Sequence, residues 1–472
     1  MDRLLMEMVN SRTRISVVIR GLSIIFLLAC SISIAAAQGT SGPNPGTIWS
    51  LEDCISTAKA NNIQVQRQQL QAGAARSDLR SAKAATLPSL SGWFTHNINS
   101  GKTVNFEDYS YINTQYQDGN IGIRARLPLF EGMQGWNRIQ QGKMNLQSTE
   151  QQVLAMENLI AIQVVTAYLQ ILMSEEMVKM AEDKLTISSD QIAQAEEFFK
   201  TGRIAKSEVM VIKSQKAQDN LDLITRQGEL DLAYLVMRQL LNLDGEAPFK
   251  IAHPGESSLQ PVSLPSSLAV YDYAKVNQPR ILAAQSLVMA NEAALKIARG
   301  ATIPSLALNG VIYSRYSALG VNPLDPEGLY PYPKQLGDNT YMQANIGLNI
   351  PIFSRFSNGT HRMISQAKVN VLDAHLLLEQ EEKTMREEIQ QAATLANTAL
   401  ARLNAAEMAA NSAGEANDLI REQFNVGLVT AIDLRVSSNQ LLQAMANHLQ
   451  AKYELVLRSK ILEVYQGKEV GL

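Results

Sequence analysis

Two stretches without proline set the first limit on this chain. From about Asn137 to Phe199 there is no Pro and Gly142 is the only Gly; from about Asn358 to Phe424 there is again no Pro. Ala, Gln, Leu and Glu are frequent in both, and these residues lose little on entering a helix. At 1.5 Å per residue the first helix would reach ~95 Å. A helix of that length cannot bury itself in one globular core and needs lateral neighbours of similar length.

The first run shows which neighbour it takes. Ile171, Val178, Leu185, Ile192 and Phe199 stand seven apart, with Ser174, Ala181, Ser188 and Ala195 at the intervening heptad position. Large residues at one seam position and small ones at the other give a closely packed coiled coil. A shift of 225 residues lands on Ala396, Ala399, Leu403, Ala406, Ala410 and Ala413, a still smaller seam. Both small seams are expected to hold the assembled tube together.

That shift belongs to an internal repeat. Ala58-Lys59-Ala60-Asn61 returns as Ala274-Lys275-Val276-Asn277, and Leu87-Pro88-Ser89-Leu90 as Ile303-Pro304-Ser305-Leu306, both displaced by 216. Leu127-Pro128-Leu129-Phe130 returns as Ile350-Pro351-Ile352-Phe353, displaced by 223, and Phe199-Lys200-Thr201-Gly202 as Phe424-Asn425-Val426-Gly427, displaced by 225. The units are residues 51–242 and 269–466.

Each unit changes period twice. Residues 51–86 read as helix, ended by Pro88, as Pro304 ends the counterpart, because the residue before Pro leaves the α region. Alternation follows: Ile121, Ile123, Ala125 and Leu127 interleave with Gly122, Arg124 and Arg126; Ile346, Leu348 and Ile350 with Asn345, Gly347 and Asn349; Leu306, Leu308 and Ile312 with Ala307, Asn309 and Val311. Period two with one apolar and one polar face predicts strands. The segment from Ser89 to about Asn97 is a weaker strand, since Trp93 and Phe94 fall on opposite faces. Turn-rich segments 98–117 and 318–340, the latter holding Pro323, Pro326, Pro331 and Pro333, are expected as loops.

The N-terminus reads as an export signal. Arg12, Arg14 and Arg20 precede an apolar stretch from Gly21 to Ile34, and Ala35-Ala36-Ala37 offers a cleavage site, so residues 1–37 are the expected leader and 38–472 the mature protomer. Leu27-Leu28-Ala29-Cys30 approximates a lipid-attachment signal and is the competing reading. After residue 37 no run of ~20 uninterrupted apolar residues appears. Four amphipathic strands cannot close a membrane barrel, and open edges are not tolerated in lipid. Three copies would supply twelve. The expected fold is therefore mainly α with a transmembrane β-barrel: a trimeric α-helical tube plus a 12-stranded barrel, four strands per protomer. The polar strand face, with Arg124, Arg126, Asn345 and Asn349, would line its lumen.

Other chemistry is missing. Net charge is −3, which gives no footprint for nucleic acid. His96, His253, His361, His375 and His448 show no ligand spacing. Gly101-Lys102-Thr103 lacks the upstream Gly of a phosphate loop, because His96 stands there. No catalytic, cofactor or metal residues are expected.

The order helix, Pro, hairpin, Pro, long helix, Gly turn, shorter helix, given twice after an export signal, resembles the TolC family of outer-membrane efflux and secretion channels over roughly residues 48–466. The nearest motifs are the Gly turns, Phe199-Lys-Thr-Gly202-Arg-Ile-Ala-Lys-Ser-Glu208 and Phe424-Asn-Val-Gly427-Leu-Val-Thr-Ala-Ile-Asp433. The resemblance implies a homotrimeric duct in the outer-membrane lipid, its helical tube in the periplasm, served by a periplasmic adaptor (membrane fusion) protein and an inner-membrane pump. It implies an adaptor-docking tip of Thr201, Gly202, Arg203, Val426, Gly427 and Leu428. It also implies an entrance lined by Glu208 and Asp433, the acids six residues beyond each Gly. Thr430 and Asp433 also have capping-box spacing, so Asp433 is a helix cap, an entrance residue or both. The pattern departs from the family's entrance lock: Val429 stands for an Arg, Phe424 for a Tyr, and Val436 for a second acid. Phe424 and Val436 are then expected to form an apolar constriction. The rival architecture is a periplasmic coiled-coil adaptor or scaffold with no barrel, which would have no use for four Pro-framed alternating strands.

Overall fold

The structure, a computed structural model, describes residues 48–104, 109–243, 249–254, 264–320, 330–352, 358–468 and 471. The expected leader at 1–37, the Cys30 alternative, Pro323, Pro326 and Phe353 lie outside them. Two helices, α1 (Leu51–Asn61) and α2 (Ile63–Ala84), lead through strands β2 (Ser89–Val104) and β3 (Tyr111–Glu131) into α3 (Gln134–Lys200) and α4 (Lys206–Leu241). The pattern returns as α5 (Ser267–Asn277), α6 (Pro279–Gly300), β5 (Ser305–Ser317), β6 (Tyr341–Asn349), α8 (Asn358–Asn425) and α9 (Ala431–Tyr465), with a short α7 (Tyr332–Asp338) between the second pair of strands. Two-residue strands β1 (Ile48–Trp49) and β4 (Lys250–Ile251) pair in parallel.

At 67 residues α3 spans ~100 Å. It packs along α4, α2 and α6, while α8 packs along α9 and α6. The largest core lies midway along α3, where Ile160, Val164, Tyr168, Ile171 and Leu172 meet Trp49, Leu51, Met237, Leu241 and Ile251. Tyr168 donates to the Ala252 carbonyl at 2.6 Å, and Trp49 meets Phe249 edge-on at 5.2 Å, which ties β1 and β4 to this waist. By length and apolar character α3 and α6 each contain a window that could cross a membrane. In α3 half of that window is buried, and the stretch supplies the waist core.

The heptad seam is present, with two corrections. Ser174, Ala181, Ser188 and Ala195 are buried, as expected, but the ring at the end of the seam is Phe198, three residues beyond Ala195; Phe199 is 44% exposed. Helical rows run i, i+3, i+4, and a strict count of seven drifts off the seam. The second correction concerns what the seams join. Ala181, Ala396 and Ala399 are buried within the single protomer, inside the α3/α4 and α8/α9 hairpins. The small seam is thus intramolecular.

The four long strands form one antiparallel sheet in the order β2-β3-β5-β6. Register puts Phe94 opposite Ile121, Gly92 opposite Ile123 and Leu90 opposite Ala125; β5 continues that face with Ile312 and Leu308, and β6 with Met342, Ile346 and Leu348. This face is apolar and exposed. Segment 98–117 is mostly strand: Ile98 pairs with Gln117 and Val104 with Tyr111. The hairpin continues because Asn, Thr, Tyr and Gln still alternate there without an apolar face. Its 16- and 21-residue strands exceed the ~9–11 a bilayer needs, so its polar end extends beyond the apolar band.

Candidate functional site

Two regions carry the residues singled out above. The first is the polar face of the sheet. Arg124 and Arg126 sit there with Asn120 and Trp93, on the opposite face from Ile121 and Ile123. The Arg124 guanidinium lies 5.2 Å from the centre of the Trp93 ring, and Trp93 donates to Asn120 at 2.6 Å. Asn309 donates to Asn345 at 3.1 Å, and Asn349 closes the pairing with β5 opposite Ser305. Cross-strand pairing thus satisfies polar groups along a face that is wet in any barrel. Trp93 belongs to this face through its indole N–H, a partner that the alternation pattern alone does not reveal.

The second region is the pair of Gly turns. After α3, the Arg203 amide donates to the Phe198 carbonyl at 2.8 Å and the Gly202 amide to Phe199 at 3.0 Å; after α8, Leu428 donates to Gln423 at 2.9 Å and Gly427 to Phe424 at 3.0 Å. These paired bonds are a Schellman closure, which needs a left-handed residue. Gly202 supplies it at φ +74° and Gly427 at φ +83°. The turns leave Val426 67% and Leu428 76% exposed beyond the helices. Thr201 donates back to Glu197 at 3.0 Å, and Arg203 stacks on Phe198 with its guanidinium 4.1 Å from the ring centre.

A small core holds the turns level with each other. Phe198 and Phe424 have ring centres 6.4 Å apart, packed with Ala195, Val209, Ile212, Ala431 and Leu434. Gln194 donates to Asn425 at 3.0 Å, and Arg203 reaches the Asn425 carbonyl at 3.5 Å. Phe424 is 4% exposed. The expectation that it lines the entrance is therefore corrected: its aromatic surface is used up between the two hairpins. Val436 is 48% exposed and stays available. Polar residues on a helix face carry no periodic signal, so the sequence pattern does not single out the Gln194–Asn425 contact.

Asp433 forms a capping box. Thr430 donates to it through its amide at 2.9 Å and its hydroxyl at 2.6 Å, and the Asp433 amide donates to Thr430 Oγ1 at 3.3 Å. The Thr430 hydroxyl and amide hold this exposed carboxyl below the usual carboxylate range. Glu208 occupies the matching position of α4, but Ala205 stands at the cap and gives no side-chain bond. Further up the α3/α4 hairpin, Asp219 is fully buried, with Lys184 at 3.0 Å, Gln215 donating at 2.7 Å and Ser188 donating as well.

An amphipathic four-stranded sheet continued into two ~100 Å helices, whose far ends carry exposed apolar turns, defines a membrane duct protein with a long helical extension. The chain belongs to the outer membrane efflux protein family, whose profile matches residues 54–243 and 270–467. It is 23% identical over 439 residues to the outer membrane efflux protein BepC of Brucella suis, covering 92% of this chain and 90% of that one. It is 22% identical over 437 residues to the outer membrane protein TolC of Vibrio cholerae, covering 92% and 93%. Among solved structures it superposes on CusC with a TM-score of 0.75 at 20% identity, covering 92% of this chain and 96% of CusC. The chain is an exit duct of the outer membrane with its helical part in the periplasm, and the barrel-free scaffold is set aside.

Proposed function

We propose that three copies of this chain close a 12-stranded barrel and a continuous helical tube, which passively conduct substrate delivered by an inner-membrane pump through a periplasmic adaptor. The observation that carries this reading is the sheet: β2 and β6 are its two edges, and among the described residues neither has an outer partner. An apolar-faced sheet with two open edges is not viable in lipid, whereas β6 of one copy against β2 of the next satisfies both. Arg124, Arg126, Asn345 and Asn349 then line the lumen. Val426, Gly427 and Leu428, with Thr201, Gly202 and Arg203, form the adaptor-docking tip, since exposed apolar turns on polar hairpins are natural contacts. Glu208, Asp433 and Val436 line the entrance. Native mass measurement of the detergent-extracted protein tests this: three copies are expected, and a monomer would refute closure by repetition.

A further inference from the structure

The polar face of the sheet is ordered in cross-strand rows. Register aligns Trp93, Gly122, Tyr313 and Tyr341 across all four strands. The next row toward the helices aligns Ser91, Arg124, Val311 and Gln343, and the one after it Ser89, Arg126, Asn309 and Asn345. An aromatic row is thus followed directly by two rows that each carry a guanidinium.

Gly122 makes room for the aromatic row. A Cβ there would lie 2.5 Å from the Trp93 ring and 2.7 Å from Tyr313 Cβ, so the indole lies across the gap that the glycine leaves. Asn120 holds the indole N–H, and the Arg124 guanidinium sits over the ring. Across the row the Tyr313 and Tyr341 rings have centres 5.3 Å apart, and Tyr341 keeps 48% of its surface exposed.

Charge on this face is unbalanced. Arg124 and Arg126 are exposed and about 7 Å apart along β3, inside the ~8 Å screening length at physiological salt, so their fields add. Arg315 adds a third guanidinium in the row of Asn120. Among the described residues the strands carry two carboxylates on this face. Glu131 is paired with Arg138 at 3.2 Å, and Asp118 accepts from Asn99 about 20 Å along the strand from Arg124. None of the three arginines has an acid partner among the described residues. A guanidinium's planar fork fits a carboxylate or phosphate through two bonds.

We propose that this band is a cargo subsite and that the duct carries organic anions with an aromatic part. The carboxylate or phosphate group meets Arg124 and Arg126, and the ring lies against Trp93, Tyr313 and Tyr341. This rests on the trimeric barrel reading above, which sets three such bands around one lumen. Low-dielectric walls focus the guanidinium field on the passage, and lumen residues of a barrel tune what passes. The entrance acids do not oppose this cargo, because the pump drives it past them, whereas the barrel is crossed by diffusion alone.

The test is block of the ion current through the purified full-length protein in a planar bilayer, with native mass read on each variant. Benzene-1,3,5-tricarboxylate should block the parent channel. The aliphatic propane-1,2,3-tricarboxylate, of equal charge, should need about fivefold more, and the neutral benzene-1,3,5-tricarboxamide should not block. Arg124→Gln with Arg126→Gln should raise the half-blocking concentration of the aromatic tricarboxylate by about tenfold or more. Gln343→Glu keeps both arginines and adds a carboxylate to the Arg124 row; it should raise that concentration too, and it serves where the double variant fails to assemble. Tyr341→Leu should bring the aromatic and aliphatic blockers closer together. No block of a conducting parent, equal block by the two tricarboxylates, or block unchanged in the charge variants overturns the subsite and leaves the duct standing. A parent that neither trimerises nor conducts overturns both.

Discussion

Asp219 gives the sharpest energetic test of the helical tube. Its carboxylate has no exposed surface, and Lys184, its ion-pair partner among the described residues, is 19% exposed. Removing one partner of a buried pair strands the other charge, at a cost of about 3–5 kcal/mol. After Lys184→Met, Ser188 and Gln215 still donate to Asp219, which puts the expected cost at the low end, about 3 kcal/mol. The loss should appear as easier local opening of α3 and α4 at this layer, which hydrogen exchange reads. Amides around 184–192 and 213–221 should lose protection by about 100–200-fold, given about 1.4 kcal/mol per factor of ten. Asp219→Leu leaves a lysine that can reach solvent along its own stem and should cost less. The double variant, with no buried charge, should recover most of the lost protection. If Lys184→Met alone leaves exchange unchanged, or the double variant is as labile as the single one, the pair is not holding the hairpin together.

Three further outcomes follow from the site. Gly427→Pro cannot adopt φ +83° and removes the amide bonded to Phe424, so efflux should be abolished while trimers still assemble; normal efflux would refute the tip assignment. Ala399→Trp overfills a buried intramolecular seam at about 1–3 kcal/mol, so exchange should rise within the α8/α9 hairpin; labilisation confined to contacts between protomers would contradict its placement. Asp433→Ala should reduce cation preference in bilayer reversal potentials. Because Thr430 lowers this carboxyl's folded pKa, its share of stability is present above the unfolded value of ~3.9 and is lost as pH falls through the lower folded value, so selectivity should persist at pH 5. Unchanged selectivity in the variant leaves Asp433 as a cap alone.

Much of this architecture is legible in the sequence because its signals are long. A 67-residue helix without Pro, four Pro-framed alternating strands and a repeat at 216 to 225 residues each average over many positions. The losses are local. Phe198 and Phe199 are adjacent, and only the helical step from Ala195 decides which ring turns inward. The alanine seam declares close packing but not whether its partner is in the same chain. β1 and β4 are two residues each, too short for any period, and their pairing depends on Tyr168 more than a hundred residues from Trp49. At the entrance, Phe424 has an aromatic character that suits a constriction, and only the packed Phe198 ring shows that it is already occupied.

The sheet should cross the outer membrane with its hairpin ends outside and the Gly turns in the periplasm. The direct measurement is labelling of intact cells with an impermeant thiol reagent, using single cysteines at three exposed positions, Asn113, Lys334 and Leu428, in the Cys54→Ser background. Asn113→Cys and Lys334→Cys should label on intact cells, and Leu428→Cys only after the outer membrane is permeabilised. Labelling of Leu428→Cys on intact cells with the other two protected would contradict the topology, and with it the duct.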